Sequence, residues 1–292
     1  MLNKFGDNYD KYLKIFNGYL SNFLNSLENS NIDIVEPIKY SLLNGGKRVR
    51  PILALATCDM LNVDFELVKN YCLAIELIHT YSLVHDDLPC MDNDDYRRGK
   101  LSTHKKFGEA MGVLTGDALL NLAIEVVMNK ANFSDKDVKA TKLLFEYSGY
   151  KGMIKGQVLD LKNEHNKNID ETTIYEIQLN KTCKLLTAPL LISSILADNL
   201  YYENLLEYGT NLGLTFQIID DILDVESSLD KLGKTPNKDI QEDKLTAVKV
   251  YGLNGAKQLA KTYYEKSVKS IKDIKNNSFL IDFATKLYER QH

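Results

Sequence analysis

Proline and glycine are scarce in this 292-residue chain, at 5 and 16 residues, and no Gly/Ser-rich stretch interrupts it. With no linker to divide it, the sequence reads as a single domain, 1–292, long for one unit but within reach of a helical enzyme. An excess of one charge is also missing: the net charge is −4, with acids and bases interspersed. This argues against a nucleic-acid partner and against a polybasic membrane-surface helix, leaving a small-molecule substrate. The four cysteines, Cys58, Cys72, Cys90 and Cys183, show neither CxxC nor zinc-type spacing. They read as buried free thiols in a reducing compartment, with packing the expected role even for Cys90. The opening segment carries Asp7 and Asp10 and has no apolar run long enough for a signal peptide or a membrane span, so the expectation is a cytoplasmic protein without stable membrane insertion.

Strict polar/apolar alternation is equally hard to find, whereas apolar residues recur at i, i+3, i+4 and i+7 from Tyr9 to Tyr288. The fold class expected is all-α, a helical bundle around a central cavity.

Two aspartate clusters stand out, Asp86-Asp87-Leu-Pro-Cys-Met-Asp92 and Asp220-Asp221-Ile-Leu-Asp224, each closing a long apolar stretch. One acidic run alone is usually a solvated helix face. Two runs with apolar lead-ins point instead to a divalent-metal site, and hard oxygen ligands favour Mg²⁺. Asp220 and Asp224 are i and i+4, so a regular helix places both carboxylates on one face. Asp86 and Asp92 are six apart, roughly 120° out of phase and ~9 Å apart along an ideal helix. Pro89 disfavours helix at Leu88 and removes a backbone donor, which predicts a break that lets Asp92 swing back toward Asp86. On the preceding helix Leu73, Leu77 and Val84 share one stripe, while His79, Ser82 and Asp86 share another. A lone histidine on such a helix is usually a satisfied core residue, so the alignment adds only modest weight to a ligand role for His79.

Basic groups accompany the acids. In Gly45-Gly46-Lys47-Arg48-Val49-Arg50-Pro51 the glycines free the backbone and Pro51 is expected as the first residue of a helix, so that Lys47 and Arg50 meet an anion near its N-terminus. Arg97-Arg98 follows Asp92, and Lys181, Lys234 and Lys244 lie on later segments. Each of these alone would be ordinary surface charge.

Taken together, GGKRVRP, LIHTYSLVHDDLPCMDNDDYRRGK, GDALL (Gly116 to Leu120), GQVLDL, NKTCKLL, FQIIDDILD and GK resemble, in order and over nearly the whole chain, the trans-isoprenyl diphosphate synthases. The resemblance implies an isoprenoid-synthase-type bundle, a homodimer, and Mg²⁺-assisted head-to-tail condensation of isopentenyl diphosphate with dimethylallyl or geranyl diphosphate. It implies three Mg²⁺ ions, with Mn²⁺ as the alternative metal. Asp86, Asp92 and Asp220 would be the principal ligands, and Asp87, Asp221 and Asp224 would support them. Gly46, Lys47, Arg50, His79 and Arg98 would bind isopentenyl diphosphate. Arg97, Lys181 and Lys234 would bind the allylic diphosphate with Lys244 nearby, Thr182 and Gln217 would face the developing cation, and Gln157 and Asp160 would line the same pocket. Closure over the substrates would involve Arg290-Gln-His292.

In this family residues just before the first acidic motif set product length. Tyr81 stands five residues before Asp86, ~7.5 Å down the helix, where its ring would stop growth at the C15 product, farnesyl diphosphate. Small Ser82 weakens that block, and the segment also resembles plant-type geranylgeranyl synthases, which leaves C20 as the alternative. Three departures bear on geometry: Lys155-Gly156 in place of Gly-Gly, Thr235-Pro-Asn-Lys238, and Thr246-Ala247-Val248 at a helix entry. Against a class I terpene cyclase, a squalene-type synthase or a non-catalytic regulatory subunit stand the intact DDILD motif and the GGKR segment.

Overall fold

The computed structural model describes residues 4–28, 32–164, 170–230 and 246–291. Lys234, Lys244, the 235–238 departure and His292 lie outside these. The described chain is almost entirely helical, as its periodicity implies, and divides into two compact units, residues 1–138 and 139–292.

In the first unit α4 (Lys69–Asp86) is packed against α1 (Lys4–Glu28), α2 (Val35–Leu43), α3 (Val49–Leu61) and α6 (Glu109–Met128), with a short α5 (Thr103–Phe107) beside α6. Leu73, Leu77 and Val84 are buried, as are Tyr71, Ile75 and Ile78 on other faces, so this helix is core nearly all round. His79, Ser82 and Asp86 lie at its less enclosed edge. Helices α4 and α6 approach closely because Gly116, the glycine of GDALL, has no side chain: a Cβ there would lie 2.0 Å from His85 Nε2. The His85 ring uses that space to hydrogen-bond the Val113 carbonyl at 3.0 Å.

The second unit contains α8 (Met153–Asn163), α9 (Glu171–Gln178), a π-helical turn Leu179–Cys183, α10 (Lys184–Leu196), α11 (Tyr202–Asp230), α12 (Ala247–Ile271) and α13 (Ser278–Tyr288). Helix α7 (Asp135–Ser148) crosses the division in the chain. Ile218, Ile219 and Ile222 of α11 interlock with Ala247, Ala256 and Ala260 of α12 and with Ile174 of α9. The small alanines let the two long helices approach, and the isoleucines fill the seam.

One short feature is added to the all-α plan, and two expectations need correction. A two-stranded antiparallel hairpin, β1 (Tyr96–Arg97) and β2 (Lys100–Leu101), interrupts the helices. Pro51 is not the first residue of its helix, because α3 begins at Val49; proline still sits in the first turn, where its missing N–H costs nothing. Cys90 is exposed, whereas Cys58, Cys72 and Cys183 are buried and free.

Among the described residues one helix, α6, is long and apolar enough to cross a membrane by length and composition. One of its faces, including Leu119, Ala123 and Val127, is buried, while Val113, Leu114, Ile124 and Met128 are exposed.

Candidate active site

The first acidic motif departs from helix where Pro89 requires it. Helix α4 ends at Asp86 with Asp87 as its cap, and the chain then folds back on itself. The Asp92 amide donates to the Asp86 carbonyl at 2.8 Å and the Asp94 amide to the Asp87 carbonyl at 3.1 Å. Residues six apart in sequence are thus brought to one place, as the break predicts.

The paired aspartates divide the work. Asp86 and Asp92 are partly exposed, whereas Asp87 is buried and accepts from Arg97 Nε at 2.9 Å and from its Nη2. Burial pushes the Asp87 carboxyl up and Arg97 draws it back only in part. Although burial opposes its own charge, Arg97 is held above the ordinary arginine range by Asp87, Asp86 and Asp92. Arg97 lies in β1, and the two-residue turn Arg98-Gly99 has positive φ at both positions, 53° and 78°, as type I′ hairpins require. From that turn Arg98 Nη1 donates to the Gly45 carbonyl.

Gly45 and Gly46 have φ of 85° and 122°, and a Cβ on Gly46 would lie 2.6 Å from Arg98 Nη1. The positive φ is what favours glycine at both positions, and the bare Gly46 leaves room for the Arg98 guanidinium. Lys47 is exposed, Arg48 is the left-handed cap of α3, and Arg50 is partly buried. Burial, aggravated by Arg98 and relieved by Glu76, lowers Arg50 to about 10. Among the described residues its buried Nε has no hydrogen-bond partner. His79 is held well below its usual range by burial and by the charges of Arg50, Arg98, Arg48 and Arg97. The first unit therefore gathers Lys47, Arg50, Arg98 and a neutral His79 around one loop, an arrangement suited to a diphosphate. The buried Tyr81 ring packs edge-on against His85, 5.9 Å between centroids, and its hydroxyl has no partner among the described residues. Ser82 donates back to the His79 carbonyl at 2.9 Å.

The second unit repeats the division of labour. Asp220 and Asp224 are partly exposed on regular α11, and Asp221 between them is buried. Asp221 accepts from Gln217 Nε2 at 3.0 Å and from the Ala247 amide at 2.7 Å, tying α11 to the start of α12. Thr182 donates to Gln217 Oε1 at 3.0 Å. Lys181 Nζ meets Asp160 Oδ2 at 2.6 Å. Lys181 and Thr182 sit in the π-helical turn, whose extra residue re-aims side chains, as such bulges do at functional sites. Gly156 makes room for that turn: a Cβ on it would lie 2.1 Å from the Lys181 amide nitrogen. Both remaining sequence departures are accommodated. Lys155-Gly156 is helical, and Thr246 caps α12 by accepting from the Lys249 amide. At the C-terminal end Arg290 lies over the Phe216 ring, 5.1 Å from its centroid, and 3.8 Å from Asp220.

Among the described residues no three Asp, Glu, His or Cys side chains converge on a point that could hold a metal. This donor set still fits Mg²⁺, which commonly takes one or two carboxylates and completes its shell with water and substrate phosphates.

Fold and site together define a helical enzyme of diphosphate chemistry. The polyprenyl synthetase family model matches residues 33–278, and the chain belongs to that family. It is 41% identical over 270 residues to a farnesyl diphosphate synthase from Micrococcus luteus, covering 91% of this chain and 92% of that one. It is 44% identical over 231 residues to a chloroplastic geranylgeranyl pyrophosphate synthase from Capsicum annuum, covering 78% of this chain and 63% of the other. Among solved structures, a geranyltransferase from Legionella pneumophila superimposes with a TM-score of 0.87 at 33% identity, covering 99% of both chains. A Helicobacter pylori geranyltransferase complexed with magnesium and isoprenyl diphosphate gives 0.76 at 31% identity, covering 96% of both.

Proposed function

We propose that this chain is a prenyltransferase that joins isopentenyl diphosphate head to tail to dimethylallyl and then geranyl diphosphate, ending at farnesyl diphosphate. The observation that carries this reading is the return of Asp92 onto Asp86 beside the Asp87–Arg97 pair, with the GGKR loop held by Arg98. The relatives named farnesyl diphosphate synthase and geranyltransferase support the same chemistry.

The reaction breaks the allylic C1–O bond, and the electron pair leaves with diphosphate. Mg²⁺ bound by Asp86 and Asp92 and by Asp220 and Asp224, in the number of three that the resemblance implies, would supply Lewis-acid neutralisation of that leaving group. Arg97, Lys181 and Lys234 bind the allylic diphosphate, with Lys244 nearby; Gly46, Lys47, Arg50, His79 and Arg98 bind isopentenyl diphosphate. The Thr182 hydroxyl oxygen and the Gln217 amide carbonyl stabilise the allylic cation without capturing it. The double bond of isopentenyl diphosphate then attacks C1, and the proton lost from the adduct passes to the released diphosphate. Asp87 and Asp221 act mainly by fixing Arg97 and Gln217. Tyr81 is the floor that ends growth at C15. The C20 alternative draws on small Ser82 and on the geranylgeranyl synthase relative.

The protein works in the cytoplasm as a single-domain subunit of a homodimer, without stable membrane insertion. The exposed apolar residues Val113, Leu114, Ile124 and Met128 of α6 support association with a second copy.

The test is incorporation of labelled isopentenyl diphosphate into an acid-stable product in the presence of geranyl diphosphate and Mg²⁺. Incorporation that disappears with EDTA, with Asp86→Ala and with Asp220→Ala supports the reading. Incorporation by Asp86→Ala at the unmodified rate would refute it.

A further inference from the structure

We propose that Glu76, one turn before His79 on α4, is a positioning residue for the isopentenyl diphosphate subsite, acting through a buried ion pair with Arg48. The inference rests on the reading above. Glu76 Oε1 lies 2.6 Å from Arg48 Nη1, with the two side chains only 3% and 7% exposed. A pair so enclosed keeps its geometry because neither charge can exchange its partner for water. The other Arg48 amino group donates to the Leu42 carbonyl at the end of α2. Arg48 is thereby clamped from both sides while its backbone takes the left-handed conformation, φ 50°.

That conformation decides what its neighbours do. Inward rotation of Arg48 leaves Lys47 exposed on one side and directs Arg50 inward on the other, with its Nε enclosed and unpartnered among the described residues. The loop has little intrinsic preference for this shape, because Gly45, Gly46 and Arg48 all have positive φ. Three further tethers hold it: the Tyr9 hydroxyl on the Lys47 carbonyl, Arg98 on the Gly45 carbonyl, and Asn44 Nδ2 on the Arg97 carbonyl at 3.1 Å. Of the four, only the Glu76 clamp brings a buried negative charge. Glu76 is also the acid that most supports the charged forms of Arg50 and Arg98 against burial. A cradle of like charges stays assembled without its ligand only if some acid balances it, and Glu76 stands beneath the loop to do so.

The experiment is steady-state kinetics of Glu76→Gln, which keeps the shape and one hydrogen bond while removing the charge. The expected result is a rise of about tenfold to a hundredfold in KM for isopentenyl diphosphate, the scale on which outer supports act on a binding site, with KM for geranyl diphosphate unchanged. Equal rises in both constants, or no rise in either, overturn the proposal. If Glu76→Gln does not fold by circular dichroism, Arg48→Gln is measured instead, since it removes the positive partner of the Glu76 pair while keeping an amide donor. The same split is expected, and an equal or absent shift overturns the proposal. Failure of the underlying reading is distinguishable, because the unmodified protein would then show no condensation at all.

Discussion

Gln217 donates its side-chain amide to buried Asp221 at 3.0 Å, which turns its carbonyl oxygen toward Thr182. The acid in the middle of the second motif thus orients the Gln217 side chain one turn earlier on the same helix. In the first motif Asp87 likewise holds Arg97. Each adjacent pair of aspartates therefore has one partly exposed member, Asp86 or Asp220, and one buried member, Asp87 or Asp221.

Asp221→Ala removes the acceptor of two donors, Gln217 Nε2 and the Ala247 amide. Leaving such groups unsatisfied costs about 1–3 kcal/mol, so the melting temperature should fall even without Mg²⁺, together with kcat. Thermal unfolding in EDTA separates this role from pure metal binding, under which Asp221→Ala would melt like the unmodified protein.

Gly156→Ala would press a methyl group onto the Lys181 backbone, 2.1 Å from its nitrogen and 2.5 Å from Cα. Backbone cannot move aside as a flexible side chain can, so a penalty of about 1–3 kcal/mol or more is expected. Displacement of Lys181 should lower kcat and raise KM for geranyl diphosphate. Thermal melts with kinetics on both substrates check this.

Tyr81→Ala should shift products from C15 toward C20 and beyond, read by chromatography of the dephosphorylated alcohols. Tyr81→Phe should leave chain length unchanged, because the hydroxyl has no partner among the described residues and phenylalanine keeps the bulk of the ring. Unchanged products from Tyr81→Ala would assign this ring to ordinary core packing.

His79 is held well below its usual range by burial and by Arg50 and Arg98. An unfolded chain protonates this group near pH ~6.5. Below that pH the unfolded state takes up a proton that the folded state refuses, so stability is full above it and declines as pH falls toward the folded value. Urea midpoints at about pH 7.5 and 5.5 should therefore differ more for the unmodified protein than for His79→Gln.

Much of this was legible in the sequence because the signals were physical. Pro89 foretold the break that returns Asp92 to Asp86, and the i, i+4 spacing of Asp220 and Asp224 needed only regular helix. The hairpin was missed because strands of two residues cannot show alternation. Its one local signal was Arg98-Gly99, a two-residue turn with glycine second. Pro51 was displaced by two positions because a left-handed Arg48, held by a buried acid 28 residues away, sets where α3 begins. Periodicity along one helix does not reveal partners on another. For the same reason the resemblance separates Asp87 and Asp221 from the principal acids but does not reveal their burial or their partners Arg97, Gln217 and the Ala247 amide.

The central claim is tested most directly by identifying the product that the unmodified, purified protein makes from geranyl diphosphate, isopentenyl diphosphate and Mg²⁺. The account predicts all-trans C15 farnesyl diphosphate as the terminal product; accumulation of C20, or no condensation, would contradict it.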